Sequence, residues 1–343
     1  MEDYPLISIV IVTHNSQRTL EKSLQSIAKQ NYPKNKVETL IVDGRSTDDT
    51  LKITRKYNCK IIDNPKILLI HGKQIGYLMA KGKYMLSLDS DEVLANPNSL
   101  KLRIETFQKN PLVHVVMASG LRTPDNYSPI NHYINNFGDP FSYFVYRLSH
   151  NPDFYIDQLT KIGTIITNDK DCLILSFPPK SSLPIIEPTG AGGIIDLAYC
   201  KQHFPKLRHN PDLIIHVFYL LNQKGMFLGV TKKDPIIHYS AGSWRTYLRK
   251  ISAKVKNNIF QTTMAEGGFF GREKFVVTNL RKYLFIPYSF SIVFPLIESL
   301  TFVWTRRNLI FLIHPFLCLY TSAVIIFWFI MKTLGSKPGF INY

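Results

Sequence analysis

The chain opens with a change of hydrophobic period. Leu6–Val12 (LISIVIV) is a continuous β-branched run, the pattern of a strand buried on both faces. Gln17–Ala28 then places Leu20, Leu24 and Ile27 at helical spacing, which predicts an amphipathic helix. Val37–Val42 (VETLIV) reads as a second strand, and Asp48 or Asp49 caps a helix that runs to about Tyr57. Lys60–Ile62 is a short third strand, Gln74–Lys81 a further helix and Tyr84–Leu88 (YMLSL) a fourth strand. This βαβαβαβ order predicts parallel strands with helices on both faces. Ligands of such sheets bind beyond the carboxyl ends of the strands, so the polar residues after each strand are the ones to weigh.

The pattern weakens in the middle. From about Gly120 to Leu183 the chain is rich in Tyr, Phe, Asn and Pro, and no element is predicted. Gly190–Gly193 (GAGG) opens a segment that reads as strand then helix, and Asp212–Gln223 reads as a helix ended by Gly225. Farther on, Trp244, Tyr247, Leu248, Ile251, Val255 and Ile259 fall on about one third of a helix at ~100° per residue. Arg245, Arg249, Lys250, Lys254 and Lys256 take the remaining arc, the pattern of a helix lying in a membrane interface. A core-packed helix with a solvated basic face is the alternative. Tyr283–Trp304 and Leu309–Met331 are apolar over about the ~20 residues that cross a bilayer. The second holds no Asp, Glu, Lys or Arg. The first carries Glu298, Pro287 and Pro295 and reads as a span or as a re-entrant segment. Thr305–Asn308 (TRRN) between them has the length of a tight hairpin turn. Arg281, Lys282, Lys332 and Lys337 flank the pair while only Arg306 and Arg307 lie in its loop, which places both ends in the cytoplasm.

Composition narrows the class. Of 343 residues, 45% are apolar and 19% charged, which excludes a disordered chain. The 41 Lys+Arg against 25 Asp+Glu give a net charge of +16. Between Ser243 and Lys282 stand nine Lys/Arg and two Asp/Glu, directly before the most apolar part of the chain. That placement points to an anionic membrane surface, and no nucleic-acid-binding motif is present. Cys59, Cys172, Cys200 and Cys318 lie far apart, which argues against a disulfide scaffold or structural zinc and fits a reducing compartment. The acidic start of MEDYPLISIVIVTHN is unlike a secretory signal.

The strongest chemical signal is Asp89-Ser90-Asp91, directly after the fourth strand. Two carboxylates at i and i+2 on a strand-end turn can both reach one hard divalent cation, Mg²⁺ or Mn²⁺, with a diphosphate supplying further oxygens. Such a triplet is common in solvated turns, and its place at a strand end is what gives it weight. Thr13-His14-Asn15 follows the first strand and Asp43-Gly44 the second. An Asp at a strand end can accept a nucleobase N–H, and Gly44 lets the backbone approach a ligand closely. The alternative has Asn15 capping a helix and Asp43 making a turn.

Taken together, PLISIVIVTHNSQRTLEKSLQSIAKQNYPKNKVETLIVDGRSTDDTL and HGKQIGYLMAKGKYMLSLDSDEVL resemble the nucleotide-sugar domain of family 2 (inverting, GT-A fold) glycosyltransferases. The resemblance is close over the first hundred residues or so and looser to about Gly242. It implies an α/β fold: a Rossmann-like, mostly parallel GT-A catalytic domain over 1–242. After it come a basic amphipathic juxtamembrane segment over 243–282, a transmembrane hairpin over 283–332 and a cytoplasmic tail over 333–343. It also implies that Thr13, Asn15, Asp43, Gly44, Lys73, Gly76 and Ser90 bind the nucleotide-sugar. Asp89 and Asp91, joined by His238, match the metal site for Mg²⁺ or Mn²⁺. Asp212 matches the general base, although Pro211 stands where Glu is usual; His216 is the reserve. The implied activity moves a sugar from a UDP- or GDP-linked donor to a lipid-linked acceptor, a polyprenyl phosphate or a lipid-linked glycan, at the cytoplasmic membrane face. A polysaccharide synthase and a non-catalytic membrane scaffold of the same fold remain alternatives.

Overall fold

The computed structural model describes residues 4–179, 183, 186–260, 275, 277 and 279–339. Residues 261–274 of the basic segment and 340–343 of the expected tail lie outside the described residues. The chain forms two compact units: Met1–Arg122, Asn151–Ser181 and Ile186–Tyr239 make the first, and Thr123–His150, Ser182–Ile185 and Ser240–Tyr343 the second.

The first unit holds twelve strands: β1 Ile7–Thr13, β2 Val37–Asp43, β3 Lys60–Asp63, β4 Tyr84–Ser87, β5 Glu92–Leu94, β6 Val113–Met117, β7 Leu121–Arg122, β8 Thr164–Asn168, β9 Cys172–Ser176, β10 Ile194–Asp196, β11 Phe227–Thr231 and β12 Ile236–His238. Nine of them form one sheet in the order β3-β2-β1-β4-β10-β6-β11-β9-β8. β3, β2, β1 and β4 are parallel neighbours, and β6 is parallel to β11. β10 runs antiparallel to β4 and β6, and β9 to β11 and β8. Seven strands thus point one way and two, β10 and β9, the other. A small second sheet has the order β5-β12-β7.

β1 shows why the sequence folds this way. Ile7, Ile9 and Ile11 are buried against Leu20 and Leu24 of the helix Leu20–Ala28. Val10 and Val12 on the other face meet Gly76 and Gly72 of the helix Leu69–Met79. Each such apolar side chain contributes roughly 1.5–3 kcal/mol when removed from water. The helix Leu69–Met79 begins five residues before the Gln74 expected from its pattern, so Lys73 lies inside it. Asp212–Gln223 forms as a 3₁₀ segment, Pro211–His216, followed by an α-helix, Val217–Gln223, and Gly225 has the expected left-handed φ of 75°.

The second unit differs most from expectation. Thr123–His150, assigned by its position in the chain to the catalytic domain, belongs with the C-terminal segments instead. The reason is aromatic packing: Tyr133, Phe137 and Tyr143 are buried together with Tyr247, Ile251, Phe302, Phe311 and Leu317. That cluster also covers the stripe of the helix Trp244–Phe260, so the apolar face expected in a membrane interface packs against protein. Its basic arc is partly engaged too, with Lys254 2.7 Å from Asp139 and Lys256 buried, while Arg245 and Arg249 stay exposed.

Among the described residues one helix, Leu309–Thr333, is long and apolar enough to cross a membrane. The first apolar stretch is broken: Leu280–Phe290 and Val293–Arg306 meet at 96°, in place of the straight span of a simple hairpin. Ile292 at the break has φ 57°, and Pro295 lacks the N–H that would donate to residue 291. Glu298 is neutralised within this apolar setting, where a lone charge would be costly. It pairs with Arg147, accepts the Tyr288 hydroxyl and stands 3.3 Å from buried His314.

Candidate active site

Register brings the first two strand ends together, because Thr13 of β1 lies beside Asp43 of β2. Asp43 is buried, and its carboxylate accepts from Thr13 Oγ1 at 2.8 Å, Ser46 Oγ at 2.6 Å and the Ser46 N–H at 2.8 Å. The Gly44 N–H donates to the Thr13 carbonyl at 2.7 Å, and His14 Nδ1 donates to the Gly44 carbonyl at 2.7 Å. A Cβ on Gly44 would stand 3.2 Å from Ile67 Cγ2, so the glycine permits a close backbone approach. Asn15 adopts φ 50°, which Asn tolerates better than most residues. Its N–H donates to Ser46 Oγ at 2.8 Å and its side chain accepts the Thr47 N–H at 2.9 Å. Asn15 therefore ties the two strand-end loops together and does not cap the next helix, whose N-cap is Thr19.

The Asp89–Asp91 turn lies at the same edge of the sheet, between β4 and β5. Lys73 Nζ stands 3.1 Å from Asp89 Oδ1 and donates to the Thr189 carbonyl. Ser90 occupies the turn between the two carboxylates. Antiparallel pairing sets His238 of β12 against Glu92 of β5, and His238 Nε2 lies 3.7 Å from Asp91 Oδ2. The Asp89, Asp91 and His238 side chains are 34%, 26% and 17% exposed, which leaves each reachable from outside.

Glu92, the next residue, went unremarked in the sequence. It is buried, and one oxygen accepts both the Asp89 N–H at 3.0 Å and the Gly192 N–H at 3.2 Å. Burial, then the neighbouring charges of Asp89 and Asp91, push its carboxyl up to about 8. A third acid following the triplet at the start of a strand was the signal available. The Gly190–Gly193 run is the other half of this arrangement. Gly192 has φ 59°, and a Cβ there would fall 2.5 Å from Ile236 Cδ1.

Gly76 is a packing position: a Cβ there would stand 2.2 Å from Val10 Cγ1, so the glycine lets the helix sit down on β1. Lys73, on the preceding turn of that helix, keeps its place beside the acidic turn. Asp212 lies in the first turn of the 3₁₀ segment, with its N–H capped by Asn210 Oδ1 at 3.0 Å, and that segment packs on the helix Leu69–Met79. His216 is 1% exposed, which removes it as a reserve base.

Among the described residues no three His, Cys, Asp or Glu side chains are grouped closely enough to hold a metal ion by themselves. The donors present nevertheless fit a divalent cation of the Mg²⁺ or Mn²⁺ kind. Asp91 lies beside His238 and Asp89 is two residues away, all partly open. Such ions commonly take one or two carboxylates and complete their shell with substrate phosphates and water.

Residues 8–175 match the profile described as Glycosyl transferase family 2. The chain is 35% identical over 102 residues to the poly(ribitol-phosphate) beta-N-acetylglucosaminyltransferase TarS of Staphylococcus aureus, a match covering 27% of this chain and 17% of that protein. It is 33% identical over 110 residues to the dolichyl N-acetyl-alpha-D-glucosaminyl phosphate 3-beta-D-2,3-diacetamido-2,3-dideoxy-beta-D-glucuronosyltransferase of Methanococcus voltae, covering 30% of this chain and 34% of that one. The chain thus spans about a third or less of the length of these relatives. In fold it is similar to the mannosyltransferase PcManGT of Pyrobaculum calidifontis, solved with GDP-Man and Mn²⁺. The TM-score is 0.52 at 11% identity, covering 95% of this chain and 88% of that one.

Proposed function

The chain belongs to glycosyltransferase family 2, with an α/β fold of the GT-A kind, and from that premise we propose that it transfers a sugar, with inversion, from a nucleotide-diphospho-sugar to a lipid-linked acceptor at a membrane surface. One observation carries the reading. Buried Asp43 ends β2 and the Asp89–Asp91 turn follows β4 of the same mostly parallel sheet, with Lys73 beside Asp89 and His238 of the small sheet beside Asp91.

In this reading Asp43 and the loop it holds form the floor for the nucleoside, with Thr13, Asn15 and Gly44 shaping its walls. Lys73 sets a fixed positive charge where the diphosphate leaves, which stabilises the charge that develops there. Asp89, Asp91 and His238 would hold Mg²⁺ or Mn²⁺, which when bound adds positive charge against the leaving diphosphate. An acceptor oxygen forms the new bond to the anomeric carbon as the bond to the diphosphate oxygen breaks, and the electron pair leaves with the nucleoside diphosphate. If the acceptor is a hydroxyl, its proton passes to a carboxylate, and Asp212 is the residue proposed. A phosphate acceptor is already an anionic nucleophile and needs no base.

The membrane half of the proposal rests on the second unit. Besides the helix Leu309–Thr333, it exposes Leu280, Phe290, Ile292, Phe294, Ile297 and Trp304 at 52–82% of their surface. Contiguous apolar surface of that kind marks a membrane or partner surface. Anchoring there, with the catalytic domain in the cytoplasm, would bring a lipid-borne acceptor to the enzyme at high local concentration.

The test is release of nucleoside diphosphate from a panel of UDP- and GDP-sugars by the detergent-solubilised chain with Mn²⁺, with and without polyprenyl phosphate. Release that requires both metal and lipid is the expected result. Release onto soluble acceptors alone would remove the lipid half of the proposal. Absence of both release and nucleotide binding would leave the scaffold alternative.

A further inference from the structure

We propose that Glu92 is a positioning residue whose side chain locks the Asp89–Asp91 turn to the Thr189–Gly193 loop, so that turn and loop hold one geometry. The proposal rests on the reading of this turn as the metal and diphosphate site.

Glu92 is 2% exposed, too buried to touch a ligand itself. What it touches is backbone. The same oxygen accepts the Asp89 N–H and the Gly192 N–H, from segments about a hundred residues apart in the chain. Gly192 is gripped from the other side as well. Its carbonyl accepts from Arg103, which is fully buried and pairs with Asp234 at 2.9 Å. Asp234 is itself fixed by Thr231 Oγ1 at 2.8 Å and by Ser119, whose Oγ accepts the Asp234 N–H at 3.2 Å. One residue is thus held at both its N–H and its C=O.

The front of the loop closes a ring. The Thr189 carbonyl accepts from Ser87 Oγ at 2.8 Å and from Lys73 Nζ, and Lys73 in turn meets the Asp89 carboxylate at 3.1 Å. From Asp89 backbone the path runs through Glu92, Gly192, the loop, Thr189 and Lys73, and returns to the Asp89 side chain. Glu92 joins loop to turn through the two backbone N–H groups that it accepts. Without it the Asp89 and Gly192 N–H groups lose their acceptor, and the turn loses its reference to the loop.

The requirement is for an acceptor atom at a given reach. Glu92→Gln keeps an oxygen at that distance. Glu92→Asp keeps the carboxylate but is one methylene shorter, about 1.5 Å. A role in supplying negative charge to the metal would rank these variants in the opposite order. A role only in stability would lower the melting temperature of both without changing metal affinity.

The experiment uses the full chain in detergent. It measures the Mn²⁺ concentration that half-saturates binding in the presence of UDP or GDP, and kcat for nucleoside diphosphate release. Amide hydrogen exchange is followed in the segments holding Asp89 and Gly192. Glu92→Asp is expected to raise the half-saturating Mn²⁺ at least ~10-fold and to speed exchange in both segments together, with Glu92→Gln within ~3-fold of wild type in each; a tenfold change corresponds to about 1.4 kcal/mol. Unchanged exchange and Mn²⁺ response in Glu92→Asp would overturn the proposal, as would a Glu92→Gln variant weaker than Glu92→Asp. If wild-type chain binds neither Mn²⁺ nor nucleotide, the reading of the site fails, and the exchange measurement still decides whether Glu92 couples loop to turn.

Discussion

At the scale of single residues, Asp43 combines two demands in one carboxylate. It must satisfy the donors of Thr13 and Ser46 to keep the strand-end loop in place, and in the proposed reaction it also meets a nucleobase. Hydrogen bonds to a charged acceptor contribute roughly 1.5–3 kcal/mol each. Asp43→Ala is therefore expected to cost both stability, seen as a lower melting temperature, and nucleotide affinity, seen by calorimetry. Asp91 is different, since its side chain is 26% exposed and lies in a turn. Asp91→Ala should leave the melting temperature nearly unchanged while nucleoside diphosphate release falls by at least ~100-fold, the loss expected when a metal ligand goes. Equal activity in wild type and Asp91→Ala would refute the metal role of the triplet. Asp43 and Asp91 were legible in the sequence because polar residues after short apolar runs mark strand ends. Glu92 was not, because its partner Gly192 is near it only in the folded chain. The packing of Gly76 on Val10 was not legible either, since a glycine shows that something comes close and not what.

At the scale of elements, the helix Leu69–Met79 and β1 depend on glycine for their separation. Gly76→Ala would drive a methyl group into Val10, at an expected cost of about 1–3 kcal/mol. Val10→Ala in the same chain should restore part of that loss, and thermal melts of the two single variants and the double variant measure the coupling. In the second unit, Asp139 joins two helices. It caps Pro140–Tyr146 by accepting the Ser142 N–H at 2.8 Å, and it stands 2.7 Å from Lys254 of the helix Trp244–Phe260. Burial raises its carboxyl, but Lys254 and the Ser142 donors outweigh burial, so the net shift is downward. A lowered carboxyl gives stability that is complete above the ordinary carboxylate range. That stability is lost as the pH falls through the lowered value. Asp139→Asn retains a good cap and loses the ion pair. Its melting temperature should lie below wild type at pH 7, and the gap should narrow as the pH falls from 5 toward 3. A gap constant over that range would show that the pair contributes nothing.

At the scale of the whole molecule, the proposed membrane anchoring gives charge and apolar surface the same partner. The net charge of +16 and the exposed apolar helices together favour an anionic bilayer. Two forces of different range are involved, and salt separates them. Attraction between surface charges is screened within ~10 Å at 0.1 M salt, whereas apolar insertion is not. The full chain should float with phosphatidylglycerol-containing vesicles, and most of it should remain bound in 1 M salt. Complete release by salt would mean that the apolar segments do not enter the bilayer. Phe329 and Ile330 are both more than half exposed, so replacing both with Glu should weaken flotation without unfolding the chain.

The order of strands and helices in the first ninety residues, the polar strand ends and the apolar C-terminal stretches were all determined by the sequence itself. These are local properties: hydrophobic period, β-branching and the length of an apolar run need no distant partner. Tertiary structure alone decided which surfaces meet. Thr123–His150 has short elements with aromatic residues on several faces, so no period marks it, and its affiliation is set by Phe302, Phe311 and Leu317 far along the chain. The stripe of Trp244–Phe260 identifies a helix with one apolar face, and periodicity is blind to whether lipid or protein covers it. The bend of 96° in the first apolar stretch has its local cause in Pro295, but its tolerance of Glu298 depends on Arg147, Tyr288 and His314. Burial of a charge is settled by the groups that surround it, and folding brings those groups from distant parts of the chain.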